Sequence, residues 1–262
     1  MTQPVRRIAV MATPGRPGVV DQARQRVEAK AASAGVELGA PGEENLDLLI
    51  VLGGDGTMLR ALRATLGTGT PVFGINFGRV GFLTTVDDDQ LDSALARALE
   101  GDVRVVDLCT LEGRLNGETH AAVNDVVVTS SRPGRMVALG WAVAGENLGD
   151  QPCDGMICCT PSGSTAYNLS NGGPVLMWGL EAMAMTFVAP HSLRARALVV
   201  PRGHDVRITN RSKLAVTVLV DGHPVGELAS GDEITAVVGA DQCRLAVLPE
   251  VTFFSRYHEV FP

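Results

Sequence analysis

The sequence predicts an α/β N-terminal domain built on a parallel sheet, followed by a mainly β C-terminal domain. Three observations carry that prediction. Strand-like apolar runs alternate with helix-period segments as far as Gly101, the grammar of βαβ units. Beyond Gly101 helical windows nearly vanish, and short Val-rich runs separated by turns take over. The 262 residues exceed one average domain and suit two packed ones.

Each element has its own reason. Residues 7–13 form a short β-rich run, and Val20, Ala23, Val27 and Ala31 then recur at helical spacing among polar residues. The run LDLLIVL at 46–52 is almost continuously apolar and ends in Gly53-Gly54, as a strand buried on both faces of a parallel sheet does. Helix formers follow over 57–66, and 71–76 is another buried strand. Leu91, Leu95 and Leu99 mark a helix beginning near Asp87, Asp88 and Asp89, whose carboxylates suit a helix N-terminus. In the second half, Asn116-Gly117 is the signal of a type I′ hairpin. Residues 123–129, 138–143, 197–200, 206–209, 215–220, 233–238 and 244–248 read as strands. Two exceptions, 165–173 and 180–185, read as short helices, and Met177, Met183 and Met185 read as core filling.

Composition narrows the function. With 45% hydrophobic residues the chain can build a core, which excludes a largely disordered protein. Its 30 glycines show no Gly-X-Y period, so they imply tight turns rather than collagen. Twenty-two basic residues against 29 acidic ones, with no basic run longer than two, argue against a nucleic-acid binder, which needs a cationic face. Lys30 and Lys213 do not follow glycine, so the P-loop pattern is absent and a phosphate site must use backbone amides, Arg and metal. Cys109, Cys153, Cys158, Cys159 and Cys243 are too sparse for a disulfide framework and contain no C-x-x-C pair, so buried reduced thiols are expected and a zinc site is not. The start MTQPVRRIAV lacks a signal-peptide pattern, and the longest apolar stretch, 174–190, contains Glu181 and is too short to span a bilayer. The expectation is a cytoplasmic protein with neither membrane nor nucleic-acid partners.

Chemistry concentrates at Leu52-Gly53-Gly54-Asp55-Gly56-Thr57, where a buried strand ends and a helix begins. Ligands of open α/β sheets bind beyond the carboxyl ends of strands. Glycines let an anion approach the backbone, and amides opening a helix hold phosphate. Asp55 is the informative residue, because a carboxylate beside phosphate is electrostatically costly unless it binds metal or takes a proton. A dehydrogenase fingerprint does not fit, since Leu59 stands where the third glycine is needed.

The segment GGDGTMLRA resembles the first signature of the NAD kinases, whose Gly-Gly-Asp-Gly core is shared with lipid kinases and phosphofructokinases. More specific likenesses follow in order: GINFGRVGFLT at 74–84, Asn124-Asp125 where the family usually has Asn-Glu, Asp154-Gly155, TPSGSTAY at 160–167, NGGP at 171–174, APHSL at 189–193 and Asp221-Gly222-His223. The resemblance implies a Rossmann-like or phosphofructokinase-like domain over 1–103, a β-rich NAD-binding domain over 104–248, and a segment 249–262 that returns to the first, with the site in the cleft. It also implies a reaction: transfer of the γ-phosphoryl group of ATP to the 2′-hydroxyl of the adenosine ribose of NAD, giving NADP. Inorganic polyphosphate is the alternative donor, and Mg²⁺ or another divalent cation the cofactor.

Residue by residue, the resemblance makes Asp55 the general base and gives Gly54, Gly56 and Thr57 to the phosphates. Asn124 and Asp125 go to ribose hydroxyls, Thr165, Ala166, Tyr167 and Ser170 to the purine, and Asp154 to the nicotinamide end, often across a subunit boundary. Pro152 replaces a basic residue that many relatives carry; Arg60, Arg79 and Arg135 are the nearest substitutes for its charge. His223, beside the Asp221-Gly222 turn, is favoured over His191 for ligand contact. A homo-oligomer, dimer or tetramer, is expected. The competing readings are a lipid or sugar kinase of the same superfamily and a non-catalytic dinucleotide sensor.

Overall fold

The computed structural model describes residues 4–13, 18–78, 81–132 and 134–262; Arg79 and Val80 of the glycine-rich stretch lie outside the described residues. The chain divides into two compact units, Met1–Leu108 with Gln242–Pro262, and Cys109–Asp241.

In the first unit, β1 (Arg7–Ala12) leads through α1 (Val19–Ser33) to β2 (Glu37–Gly39). Then come β3 (Leu48–Gly53), α2 (Asp55–Ala64), β4 (Val72–Asn76), β5 (Val86–Asp87) and α3 (Leu91–Leu99). The strands are parallel in the order β2-β1-β3-β4, with β5 also parallel to β4. Every residue of β3 is buried, because both sheet faces are covered. Leu48, Ile50 and Leu52 pack with Val20, Ala23 and Val27 of α1 and Leu91, Ala94 and Leu95 of α3. Burying each of the Leu, Ile and Val side chains contributes about 1.5–3 kcal/mol. Strand alternation turns Leu49 and Val51 the other way, and α2 buries Met58, Ala61 and Leu62 along one face. A Cβ on Gly74 would stand 2.6 Å from Met58 Sδ, so this glycine lets α2 lie close on β4.

Among its described residues the second unit is β apart from one short α-helix and a 3-10 turn at Gly163–Thr165. Strand β6 (Arg104–Leu115) leads into it, followed by β7 (Glu118–Ala122), β8 (Asp125–Ser130), β9 (Val137–Val143), β10 (Glu146–Cys153) and β11 (Gly155–Cys159). After α4 (Tyr167–Ser170) come β12 (Ala182–Val188), β13 (Leu198–Pro201), β14 (Val206–Asn210), β15 (Val216–Val220), β16 (His223–Leu228) and β17 (Glu233–Val247). Asn116 and Gly117 both take positive φ, 51° and 84°, and close the β6–β7 hairpin with Leu115 opposite Glu118, as a type I′ turn requires. One sheet runs β13-β12-β11-β8-β15-β16. A second carries β10, β9, β14 and the first part of β17 as antiparallel neighbours. Val126, Val128, Met156 and Met183 of the first share a core with Leu139, Ile208 and Ile234 of the second. On the opposite face of the first sheet, Val127, Ile157 and Ala184 pack with Leu176.

Residues 180–185 are not a helix: 182–185 open β12, which pairs with β11 on one side and β13 on the other. Burial on both faces removed the alternation by which a strand is usually recognised. Met183 and Met185 are core residues, whereas Met177 is exposed. The two runs expected at 233–238 and 244–248 are one strand, β17, whose Leu245 and Ala246 pair in parallel with Val72 and Phe73 of β4. The chain ends in α5 (Phe253–Val260) in the first unit. Thr252 caps α5, accepting from the Ser255 amide at 3.1 Å while its own amide donates to Ser255 Oγ at 2.9 Å. All five cysteine side chains are buried. Among the described residues no helix is long and apolar enough to cross a membrane.

Candidate active site

Asp55 opens α2 directly beyond the carboxyl end of β3. Its side chain is held by the segment after β4. Asp55 Oδ2 accepts from the Phe82 amide at 2.6 Å. Oδ1 accepts from the Leu83 amide at 3.0 Å, the Thr84 amide at 3.1 Å and Thr84 Oγ1 at 3.3 Å. A carboxylate offers about four lone-pair sites, so Oδ1 is saturated and Oδ2 keeps room for one more partner. A Cβ on Gly81 would collide with this carboxylate, which explains a glycine there without reference to any ligand.

The glycines of the corner divide into two kinds. A Cβ on Gly53 would stand 2.6 Å from Thr57 Oγ1, so Gly53 serves packing. At Gly54 and Gly56 a Cβ would meet nothing within 4 Å, and neither takes a positive φ. Their bareness serves no neighbour in the unit; it leaves backbone open for a ligand. No side chain caps the start of α2, and a helix start leaves its first amides without intrahelical partners. Thr57 is buried, its hydroxyl lies over Gly53, and its amide donates to Gly54 O at 2.9 Å. Arg60 is exposed on the same helix.

In the second unit, Asn124 and Asp125 stand at the start of β8. The carboxylate of Asp221 accepts from three successive amides there: Val123 at 3.0 Å, Asn124 at 2.7 Å and Asp125 at 3.2 Å. Asp221 and Gly222 take positive φ, 48° and 77°, in the turn that pairs Val220 with His223. That Asp-Gly hairpin is what swings the carboxylate onto the amides. Asp125 is buried, and burial, with the Asp221 charge second, pushes its carboxyl up to about 7. Asn124 Oδ1 is buried without a hydrogen-bond partner. An orphaned buried acceptor of this kind calls for a donor from water or a ligand.

The segment 160–176 sorts itself in the same way. Thr160 Oγ1 and Ser162 Oγ both donate to Val123 O, at 2.6 and 3.0 Å, and the Thr160 amide donates to Asn124 O at 2.9 Å. Gly163 admits no side chain because its Cβ would meet the Asn124 carbonyl. Asn168 Nδ2 donates to Ser164 O at 2.9 Å and Pro174 O at 3.0 Å, and Asn168 Oδ1 accepts from Thr186 at 2.7 Å. These residues build the wall. Thr165 and Ala166 are half-buried, Tyr167 and Ser170 exposed, and these four are the surface the wall presents. Asp154 is half-buried after β10, its amide tied to Val188 O at 2.9 Å. His223, His191 and Arg135 are exposed.

The structure therefore groups Gly54, Asp55, Gly56 and Thr57 in one unit, and Asn124, Asp125 and the 165–170 surface in the other. Sequence reasoning missed Asp221 as a holder of Asn124-Asp125, although the Asp-Gly turn signal was there to be read. It also missed the amides of Phe82, Leu83 and Thr84, which no side-chain motif advertises.

Among the described residues no group of three or more His, Cys, Asp or Glu side chains could cage a metal ion. Mg²⁺ commonly keeps its waters and binds through substrate phosphates, and that mode needs no cage. With Oδ1 of Asp55 saturated, the donor set fits a cation that arrives on a triphosphate, not a resident one.

Comparison with known proteins agrees with this geometry. Residues 5–103 match the ATP-NAD kinase N-terminal domain, and residues 123–248 the ATP-NAD kinase C-terminal domain. The NAD kinase of Heliobacterium modesticaldum is 42% identical over 215 residues, 80% of this chain and 76% of the relative. That of Moorella thermoacetica is 39% identical over 238 residues, 88% of this chain and 76% of the relative. Among solved structures, the NAD kinase from Archaeoglobus fulgidus in complex with ATP aligns with a TM-score of 0.79 at 27% identity, covering 97% of both chains. Yeast NADH kinase complexed with NADH aligns with a TM-score of 0.88, covering 98% of this chain and 88% of that one; at 24% identity it speaks for the fold alone. The chain belongs to the ATP-NAD kinase family.

Proposed function

We propose that this protein phosphorylates the 2′-hydroxyl of the adenosine ribose of NAD with ATP, giving NADP, and that Asp55 is the general base. The observation that carries the assignment is the carboxylate beyond β3, saturated at Oδ1 and open at Oδ2, next to glycines whose bareness serves no packing. A secondary alcohol is a poor nucleophile near neutral pH, and a carboxylate within hydrogen-bond reach helps by taking its proton. Oδ2 is the atom that takes it. The backbone at Gly54 and Gly56 receives the phosphates, and the exposed Arg60 adds charge.

In the second unit, Asn124 Oδ1 accepts from a ribose hydroxyl. Asp125, one methylene shorter than the usual Glu, donates its proton or accepts according to pH. Tyr167 offers a ring face to the purine, with Thr165, Ala166 and Ser170 around it; Asp154 binds toward the nicotinamide end, and His223 contacts the ligand beside the Asp221-Gly222 turn. A divalent cation such as Mg²⁺, held by the triphosphate, would supply neutralisation of the charge developing on the phosphate oxygens. A cytoplasmic homo-oligomer, dimer or tetramer, is part of the same reading; a monomeric, fully active species in light scattering would contradict the oligomer.

Mixing the protein with NAD, ATP and Mg²⁺, and reading NADP with an NADP-specific dehydrogenase, tests the reading. Accumulating NADP supports it. Tight NAD binding with no NADP would instead make the protein a sensor, and no NAD binding at all would remove the nucleotide assignment.

A further inference from the structure

Arg256 lies on α5, almost at the end of the chain, in the same unit as Asp55, and is 5% exposed. A buried arginine needs partners. Nη1 pairs with Glu259 Oε2 at 2.5 Å, while Nη2 donates to two backbone carbonyls, Gly81 O and, at 3.0 Å, Thr84 O. Those carbonyls bracket the three amides that hold the Asp55 carboxylate. The Gly81 carbonyl and the Phe82 amide belong to one peptide group. Arg256 therefore grips the oxygen of the same planar unit whose N–H reaches Asp55 Oδ2, in the shortest bond that carboxylate makes.

Two physical consequences follow from that arrangement. The guanidinium fixes the plane of the peptide and so the position of Oδ2. A charge-assisted bond to its oxygen also polarises the peptide and strengthens the N–H it offers. Apolar contacts on α5 act in the same direction. The Phe82 ring is buried against Phe253, with centroids 5.4 Å apart, and Phe261, at 6.2 Å.

We propose that Arg256 is a positioning residue for phosphoryl transfer: through the Gly81–Phe82 peptide it sets the Asp55 oxygen that receives the proton. The inference rests on the reading of Asp55 as the base. It gives α5 a role in turnover and not only in closing the first unit.

The test compares wild type, Arg256→Met, Arg256→Lys and Asp55→Asn in the full chain. Circular dichroism, NAD-binding stoichiometry, kcat, and KM for NAD and ATP are measured for each. Arg256→Met keeps the aliphatic volume and loses the grip, and a small misplacement of a catalytic group costs up to about 100-fold. The expected result is a kcat at least about tenfold lower per NAD-binding site, with both KM values within about threefold of wild type. Arg256→Lys, which keeps the charge and can reach one carbonyl, is expected to recover part of the loss, and it carries the test if the Met variant does not fold. A folded Met variant with wild-type kcat per binding site overturns the proposal. So does a loss that appears only as fewer binding sites or raised KM, the signature of a merely structural arginine. If Asp55→Asn retains turnover, the base assignment itself falls and this proposal with it; if that variant is dead while Arg256→Met is fully active, only this proposal falls.

Discussion

Asp125 offers a stability test whose sign and size follow from its surroundings. Its carboxyl is pushed from 3.8 up to about 7, by burial first and by the Asp221 charge second. Each tenfold change in a protonation equilibrium is about 1.4 kcal/mol, so ionising Asp125 in the folded protein costs about 4 kcal/mol more than in the unfolded chain. Below about pH 4 both states carry the proton and there is no penalty. Between about pH 4 and 7 the native state holds a proton that the unfolded chain has released, so stability falls as pH rises. Above about pH 7 the penalty is complete. Asp125→Asn removes the titrating group while keeping the shape. Urea unfolding of both proteins between about pH 4.5 and 8 isolates the component of Asp125 and its coupling to Asp221, since titrations remote from them cancel in the difference. The variant should gain on wild type as pH rises, by up to about 4 kcal/mol at about pH 8. A difference that stays flat, or a variant that loses ground with rising pH, would refute the assignment of a protonated, desolvated carboxyl at this position.

Two further outcomes are expected. Gly56→Ala, in the first turn of α2 with nothing within 4 Å of the added Cβ, should fold and be up to about 1 kcal/mol more stable, yet show a raised KM for ATP; an unchanged KM in steady-state kinetics would show that the bare backbone there is not used. Burial pushes the thiol of Cys153 up to about 11 and that of Cys158 up to about 12, so at about pH 8 an aromatic disulfide reagent should label Cys153 at least about a hundredfold, and Cys158 at least about a thousandfold, more slowly in the folded protein than in the urea-unfolded chain. Rapid stoichiometric labelling of the native protein would contradict the buried placement of the thiols.

How far the residues alone carried the reading depended on whether local physics or tertiary contact decided each element. The β3–α2 corner was legible because a strand covered on both faces must be apolar throughout, and the glycines mark its end. The Asn116-Gly117 hairpin was legible because only certain residues tolerate two successive positive φ angles. Strand β10 escaped: its residues 146–150 are exposed and Leu148 is the lone apolar side chain longer than glycine among them, so no apolar period announced it. Strand β12 was misread for the opposite reason, since burial on both faces erased the period. The candidate site shows the same division. The glycine-bracketed corner pointed to Asp55, and the family resemblance to Asn124 and Tyr167, whose side chains carry the proposed chemistry. Neither could show that Thr160, Ser162 and Asn168 are spent on internal hydrogen bonds, nor that amides 82–84 hold the carboxylate while Arg256 grips the carbonyls of Gly81 and Thr84. Backbone donors have no side-chain signature, and Arg256 stands 201 positions along the chain from Asp55.

The central claim is that the Asp55 carboxylate takes the proton of the 2′-hydroxyl. A single-turnover measurement by rapid quench, with NAD and ATP both bound to Asp55→Asn and their affinities checked beforehand, tests it most directly. The account predicts NAD affinity within a few-fold of wild type and phosphoryl transfer slower by about 10²–10⁴. Transfer within about tenfold of the wild-type rate at full occupancy would contradict it.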